Sequence, residues 1–396
     1  MTQNDNRTLF FRVTGTGRFF RPCFAALLVL ALTTCSNYNL SLKDFFGDPD
    51  RDLEDFGPVP AGSISRFLVG NDTEWDDALF DIQNGGNNKN YVITLTGDFG
   101  IPSGSTFGTV TGVTVSLRGK KTLSLNTAGN LLDLTGNQTL ILWDATLQGD
   151  LPSNPNSLVY LNGGTFFMKS GTISDNTATA SSGGGVYVEG GGGFTMSGGT
   201  IRNTAANYNG GGVAVSGIGS SFTMSGGTIR NTTASVGGGV FVTGGGDFAM
   251  SGGIISDNHA IVTGHGGGVY VTSSSSFTMS GGTISGNTAV SGGGVYFSSS
   301  SGNFTMSGGT ISGNHATGLS SSGGGVSFSS ASPSTFTMNS GTISDNHATG
   351  VSSSGGGVYV SGSGGFTMYS GTISGNDATV SGGGVSVAAG DFTMSD

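Results

Sequence analysis

The sequence predicts an all-β solenoid, a parallel β-helix of about ten turns capped at its N-terminal end by one helix. Three observations carry that expectation. A phenylalanine recurs at Phe167, Phe194, Phe222, Phe248, Phe277, Phe304, Phe336, Phe366 and Phe392, with spacings of 27, 28, 26, 29, 27, 32, 30 and 26 residues. Each copy repeats three short apolar runs, such as Phe277-Thr278-Met279, Thr283-Ile284-Ser285 and Val295-Tyr296-Phe297. Glycine separates the runs, as at Gly281-Gly282, Gly286-Asn287 and Gly292-Gly293-Gly294.

A fixed period of this length marks a stack of identical units. Within each run the side chains alternate, so Phe277 and Met279 point one way and Thr278 the other. Glycine supplies the positive-φ positions that sharp corners need. Three strands and three corners make one coil, and stacking sets Met196 on Met224 on Met250 and Ile201 on Ile229 on Ile255. Burial of such ladders must offset the backbone entropy lost by a chain with 76 glycines. That composition alone suits a disordered linker. Linkers, however, do not carry Phe, Met, Ile and Val in one phase through eight spacings.

The 396 residues therefore form one elongated body, a rod of roughly 50 Å at about 4.8 Å per turn. The net charge of −10 is unevenly spread. Asp and Glu crowd the stretch from Asp44 to Asp81, and beyond Thr165 the basic residues are Lys169, Arg202 and Arg230. No basic stripe exists to track a phosphate backbone, so nucleic acid is not an expected partner.

Residues 1–35 read as an export signal. Arg7, Arg12, Arg18 and Arg21 form a basic region, and the apolar core from Phe24 to Leu32 is shorter than the roughly 20 residues that span a bilayer. The core ends Leu32-Thr33-Thr34-Cys35, which resembles a bacterial lipobox, relaxed by Thr34 where Gly, Ala or Ser is usual. That resemblance implies a lipid anchor at Cys35 and attachment to a membrane. With Cys23 inside the signal, the exported chain keeps no disulfide.

Residues 36–70 read as an acidic tether closing on Pro58 and Pro60, whose like charges keep it extended. Its carboxylates lack the spacing and the glycine turn of a calcium loop. Residues 71–111 read as an N-terminal cap. Asn71 to Gln83 predicts an amphipathic helix, with Trp75, Ala78, Leu79 and Ile82 on one face, Asn71 and Glu74 as a capping box and Gly85-Gly86 as the stop. Such a helix plugs the open end of a solenoid. Residues 112–396 are assigned to the repeats. The run Leu140 to Leu147 sits 27 residues before Phe167, where later copies read Phe-Thr-Met-Ser-Gly-Gly-Thr-Ile. Coil length varies chiefly between the Asn and the glycine triplet, as at His315 to Ser322, where a solenoid carries variable surface. The last run, Phe392 to Met394, opens a further coil, so the expectation is either that the sequence is cut short there or that the exposed edge pairs with another chain.

Phe-x-x-Ser/Asn, Gly-Gly-x-Ile and Gly-Gly-Gly-Val, repeated at this period behind a signal, resemble the polymorphic outer-membrane-protein repeats. They also resemble the wider right-handed, pectate-lyase-like β-helix class. The likeness covers roughly residues 110–396. Gly184-Gly185-Val186 and its copies match the Gly-Gly-Val element, and Phe336 to Asn339 meets Phe-x-x-Asn strictly. The resemblance implies right-handed coiling and an adhesin-like surface protein of the cell outer membrane. Members carry a C-terminal β-barrel that this sequence does not show, and a lipid at Cys35 would substitute as anchor.

Catalysis is not expected. The outward positions of the third run read Tyr187, Ala214, Phe241, Tyr270, Tyr296, Ser327, Tyr359 and Ser386, without a carboxylate. Asp175, Asp257 and Asp345 share a corner but never on adjacent coils, so paired carboxylates for glycoside hydrolysis are not placed together. The alternative reading remains a carbohydrate-active enzyme, a polysaccharide lyase or hydrolase. His259, His315 and His347 share a position that is read as a solvent-facing corner and fall short of the three or four ligands of a metal site. Asn176, Asn258, Asn287, Asn314, Asn346 and Asn376 read as a structural ladder or as left-handed turn residues. No cofactor is expected, because the glycine runs lack the Lys-Ser/Thr of a phosphate loop and the Asp of calcium nonapeptides. A column of outward Thr, from Thr195 to Thr367, lacks the second column in its strand that an ice-binding lattice needs. What remains is an aromatic row of Tyr187, Phe241, Tyr270, Tyr296 and Tyr359, read either as cross-strand stacking that stiffens a structural stalk or as the candidate contact of an adhesin-like face for a host protein or glycan.

Overall fold

The computed structural model describes residues 64–149, 151, 153–261, 264–330 and 334–395. The signal, Cys35 and the tether up to residue 63 lie outside them. All the described residues belong to one compact unit.

The chain winds as a right-handed parallel β-solenoid with three faces. The first face begins with β1 (Ile64–Val69) and β2 (Asn90–Leu95), paired in parallel, and ends with the strand Asp391–Met394. Its thirteen rungs give about 12 turns, two more than the period suggested. The undercount lies in the early coils, whose strands are readable but are filled by Leu, Val and Ile without the glycine punctuation that separates one turn from the next. β1 also corrects the tether: Ile64–Val69 is a strand, with Val69 buried on the core side. The third face is a separate 11-stranded sheet running from Ser105–Thr106 to Val385–Val387.

Between β1 and β2 lies α1 (Asp72–Asn84). The Asn71 side chain accepts from the Glu74 N–H at 3.0 Å, and Glu74 accepts from the Gly70 N–H at 2.7 Å. These bonds satisfy donors that a helix start leaves free. Trp75, Ala78, Leu79 and Ile82 are buried, as their spacing required. The indole N–H of Trp75 donates to Ser105 Oγ at 3.1 Å, which fixes the helix on the first rung of the third face.

Inward side chains form continuous ladders. Phe166, Phe194, Phe222, Phe248, Phe277, Phe304, Phe336, Phe366 and Phe392 stack ring on ring, with centroids 4.4–5.0 Å apart and planes within 13°. The ladder starts at Phe166, not Phe167. Phe166 is in register with Leu140 and Phe194, so these steps are 26 and 28 residues, and Phe167 pairs with Ile141 and Thr195 on the outer surface. Met and Ile form parallel columns. Each buried side chain of this size stabilises the coil by roughly 1.5–3 kcal/mol.

The corner after the second face holds the polar part of the interior. One position adopts left-handed backbone at every copy from Asp175 on: Asp175, Asn203, Asn231, Asp257, Gly286, Gly313, Asp345 and Gly375, with φ between 52° and 65°. Only Gly, Asn and Asp tolerate that conformation routinely, which explains the restricted residue choice. The next residue forms the asparagine ladder. Asn314 Nδ2 donates to Ile284 O and to Asn346 Oδ1, while its own Oδ1 accepts from the N–H and side-chain amide of Asn287. Those Asn side chains are buried and fully bonded, so they hold adjacent coils in register. After it comes a two-residue strand unforeseen in the sequence, such as His259–Ala260 or His315–Ala316.

Candidate functional site

The outward column of the third face is the row the alternation implied. Tyr187, Ala214, Phe241, Tyr270, Tyr296, Ser327, Tyr359 and Ser386 pair rung by rung. The structure extends it by two residues, Tyr160 beside Tyr187 and Asp133 beside Tyr160. Both were missed because the strands Leu132–Thr135 and Val159–Asn162 lack the glycine triplet that flags later copies.

The row is not continuous. Small buried residues, Ala214 and Ser327, divide it into three parts. The first part joins Asp133, Tyr160 and Tyr187 to Glu189. Tyr160 and Tyr187 lie 5.8 Å apart, and the Tyr160 hydroxyl donates to Glu189 Oε1. Burial pushes both phenols up, reinforced by Glu189, and Tyr187 reaches about 12. Burial also raises the Asp133 carboxyl, against a 2.5 Å hydrogen bond from Asn130. Asp133 and Glu189 are the two carboxylates on this stretch of the face.

The second part is an aromatic group. Tyr270 meets Phe241 edge-on at 5.5 Å and Tyr296 edge-on at 5.2 Å, geometries that suit the ring quadrupole. Phe241 is buried to 8% exposure, so its ring props Tyr270 and is withdrawn as a contact for a partner. His265 lies flat on Tyr296, with centroids 4.3 Å apart at 18°. It also presents an edge to Tyr270 at 6.3 Å. Burial lowers its pKa, and its Nδ1 is buried without a hydrogen-bond partner. His265 was overlooked in the sequence. The available signal was its place before a glycine triplet, where later coils carry Ser291, Ser322, Ser354 and Ser381. Ser298 donates to the Tyr270 hydroxyl at 3.3 Å, and burial raises the Tyr296 phenol. Tyr359, half-buried, stands alone beyond Ser327.

The other histidines lie on the two-residue strands and not in a corner, because the corner is the Asp/Asn/Gly position two residues earlier. His315 and His347 stack at 5.1 Å on neighbouring rungs, with Asp377 next in register. Burial and His347 both lower the His315 pKa. Among the described residues no three His, Cys, Asp or Glu side chains gather as metal ligands. A cavity of about 420 Å³ lies away from the row, between α1 and the first two strands, lined by Ser65, Phe67, Asp81, Asn84, Lys89 and Tyr91.

Parallel coils stacked in register, with an interrupted aromatic row along the third face, define a right-handed β-helix protein. A family model described as the right handed beta helix region matches residues 159–340, which spans the aromatic row from Tyr160 to Ser327. No curated protein and no solved structure matches the chain. β-helix domains of this kind occur both in surface proteins and in pectate-lyase-like enzymes.

Proposed function

We propose that the protein is an exported, lipid-anchored surface protein of the outer membrane, adhesin-like, whose third face binds a host glycan or protein without catalysis. The observation that carries the reading is the group of His265, Tyr270 and Tyr296, three half-buried rings on two adjacent rungs of a rigid sheet. Such rings offer apolar area with polar tips at low entropy cost, because the backbone beneath is held by ladders on both sides. The repeat motifs and the lipobox at Cys35 support the cellular setting.

Binding of the full-length chain to immobilised glycans and matrix proteins tests the site. Tyr270→Ser with Tyr296→Ser is the informative variant, since Ser327 and Ser386 already occupy that column. Loss of a wild-type interaction is the expected result, and unchanged binding sinks the site. Incorporation of a lipid precursor that Cys35→Ser abolishes, with protease access on intact cells, tests the anchor and the location. A second reading, a carbohydrate-active enzyme, draws on Asp133 and Glu189 beside Tyr160. Turnover of a polysaccharide that is lost in Glu189→Gln would favour it over adhesion.

A further inference from the structure

The column that becomes the phenylalanine ladder ends, at the N-terminal end of the solenoid, in an open space. Read back from Phe166, the column runs Leu140, Val115, Tyr91 and Ser65, one residue per rung. Leu140, Val115 and Tyr91 are buried, whereas Ser65 is exposed and too small to fill the place a ring takes in later coils. The cavity of about 420 Å³ opens there, between Ser65, Tyr91 and the C-terminal end of α1. The helix therefore closes the end of the solenoid without filling this column. A space of that size suits a small molecule.

The walls narrow the choice of molecule. Tyr91 and Phe67 line the cavity with a ring pair, centroids 6.1 Å apart and planes at 21°. The Tyr91 hydroxyl reaches Gly85, the residue that ends α1, where a Cβ would overlap it, and it has no hydrogen-bond partner among the described residues. Burial, and after it the charge of Asp81, raises the phenol pKa, so at neutral pH the hydroxyl keeps its proton and can donate. Asp81 on α1 and Lys89 ahead of β2 bring opposite charges to the same cavity, and neither forms an ion pair among the described residues. The Lys89 backbone is fixed, its carbonyl accepting from the Thr114 N–H at 2.9 Å.

We propose that this cavity takes a small zwitterion with an aromatic side chain, of the amino-acid class: the ring continues the column on Tyr91, the ammonium pairs with Asp81 and the carboxylate with Lys89. A ring laid there repeats the contact of the later rungs, where centroids lie 4.4–5.0 Å apart. A neutral sugar would leave both charges unanswered, and an ion of one sign would answer one and face the other. The site is independent of the aromatic row on the third face.

Titration calorimetry of the full-length chain tests the site, with L-phenylalanine, phenethylamine, 3-phenylpropionate and glycine as probes. Saturable binding of phenylalanine is expected, at least about tenfold tighter than each of the other three. Asp81→Asn should bring phenylalanine and phenylpropionate within about threefold, because the ammonium loses its partner, and Lys89→Gln should do the same for phenylalanine and phenethylamine. Asp81 and Lys89 are both exposed, so neither change disturbs the core. Ser65→Phe supplies the missing ring from the chain itself and is expected to weaken phenylalanine by about tenfold or more. No saturable response in folded wild type, binding of any other probe as tight as that of phenylalanine, or phenylalanine binding undiminished by Ser65→Phe would overturn the proposal.

Discussion

Before Phe166 the column filling the first face reads Tyr91, Val115 and Leu140, and from Phe166 onward it reads phenylalanine at every rung. The two regions are wound alike and filled differently. In the early coils unlike side chains must fit one another, and single polar residues staple the corners. Gln138, 1% exposed, donates to Gly108 O and Val110 O and accepts from Thr135. In the later coils that work passes to columns: rings on rings, and one asparagine bonded to the next. Arg66, Lys89, Arg118, Lys120 and Lys121 all belong to the early part, against Lys169, Arg202 and Arg230 later. Repetition thus supplies a core of like side chains stacked on like and a surface poor in basic residues, while the irregular coils are held by single, individually placed side chains.

The comparison breaks most directly at the ladder. Phe277→Ala, which removes a fully buried ring stacked on both sides, is expected to cost about 4 kcal/mol, and Leu140→Ala about 3 kcal/mol. Urea unfolding checks this, with hydrogen exchange to locate the loss, since solenoids do not always unfold in one step. Equal costs would show that the stack adds nothing beyond burial. Next in size, Asn314→Ala strands the Ile284 carbonyl and the Asn287 amide and should cost about 3 kcal/mol, against about 2 kcal/mol for Gln138→Ala. Asn314→Thr should be milder, because Thr204 and Thr232 hold the same corner through bonds to Gly211 O and Gly238 O.

The Phe ladder, the asparagine column and the capping helix were legible in the sequence because each rests on spacing alone. The start of the ladder was legible too and was misjudged. Phe166-Phe167-Met168 preserves the Phe-x-Met spacing of later copies only when counted from Phe166. The early strands were legible as apolar runs, but their number of turns was not, because Leu and Val fill a core without announcing a period, and Ile64–Val69 reads in the sequence as tether. Tyr160, Asp133 and His265 were hidden for the same reason in the site: two stand on strands without the glycine triplet, and the third replaces a serine.

Two smaller effects sharpen the contrast. Gly282 and Gly104 share φ near 83°, at 84° and 82°, but a Cβ on Gly282 would sit 2.6 Å from Met250 Cε and one on Gly104 would meet nothing within 4 Å. Alanine should cost about 1 kcal/mol from backbone strain at Gly104 and more at Gly282, read from thermal midpoints. The smallest effect is on pH. His265 and His315 have folded pKa values below 6.5, so the unfolded chain binds protons first and stability falls as pH drops below about 6.5. His265→Ser should flatten part of that slope between pH 7 and about 5, and an unchanged slope would remove His265 as a contributor.

Each coil touches only the coils before and after it, and every coil from Phe194 on offers its neighbours nearly the same surfaces. Excision or duplication of one whole copy would therefore leave Phe248 facing a phenylalanine and Asn258 facing an asparagine. Recombination between repeats can shorten or lengthen the shaft without passing through a misfolded ancestor, so the reach of this protein can drift while its architecture stays intact.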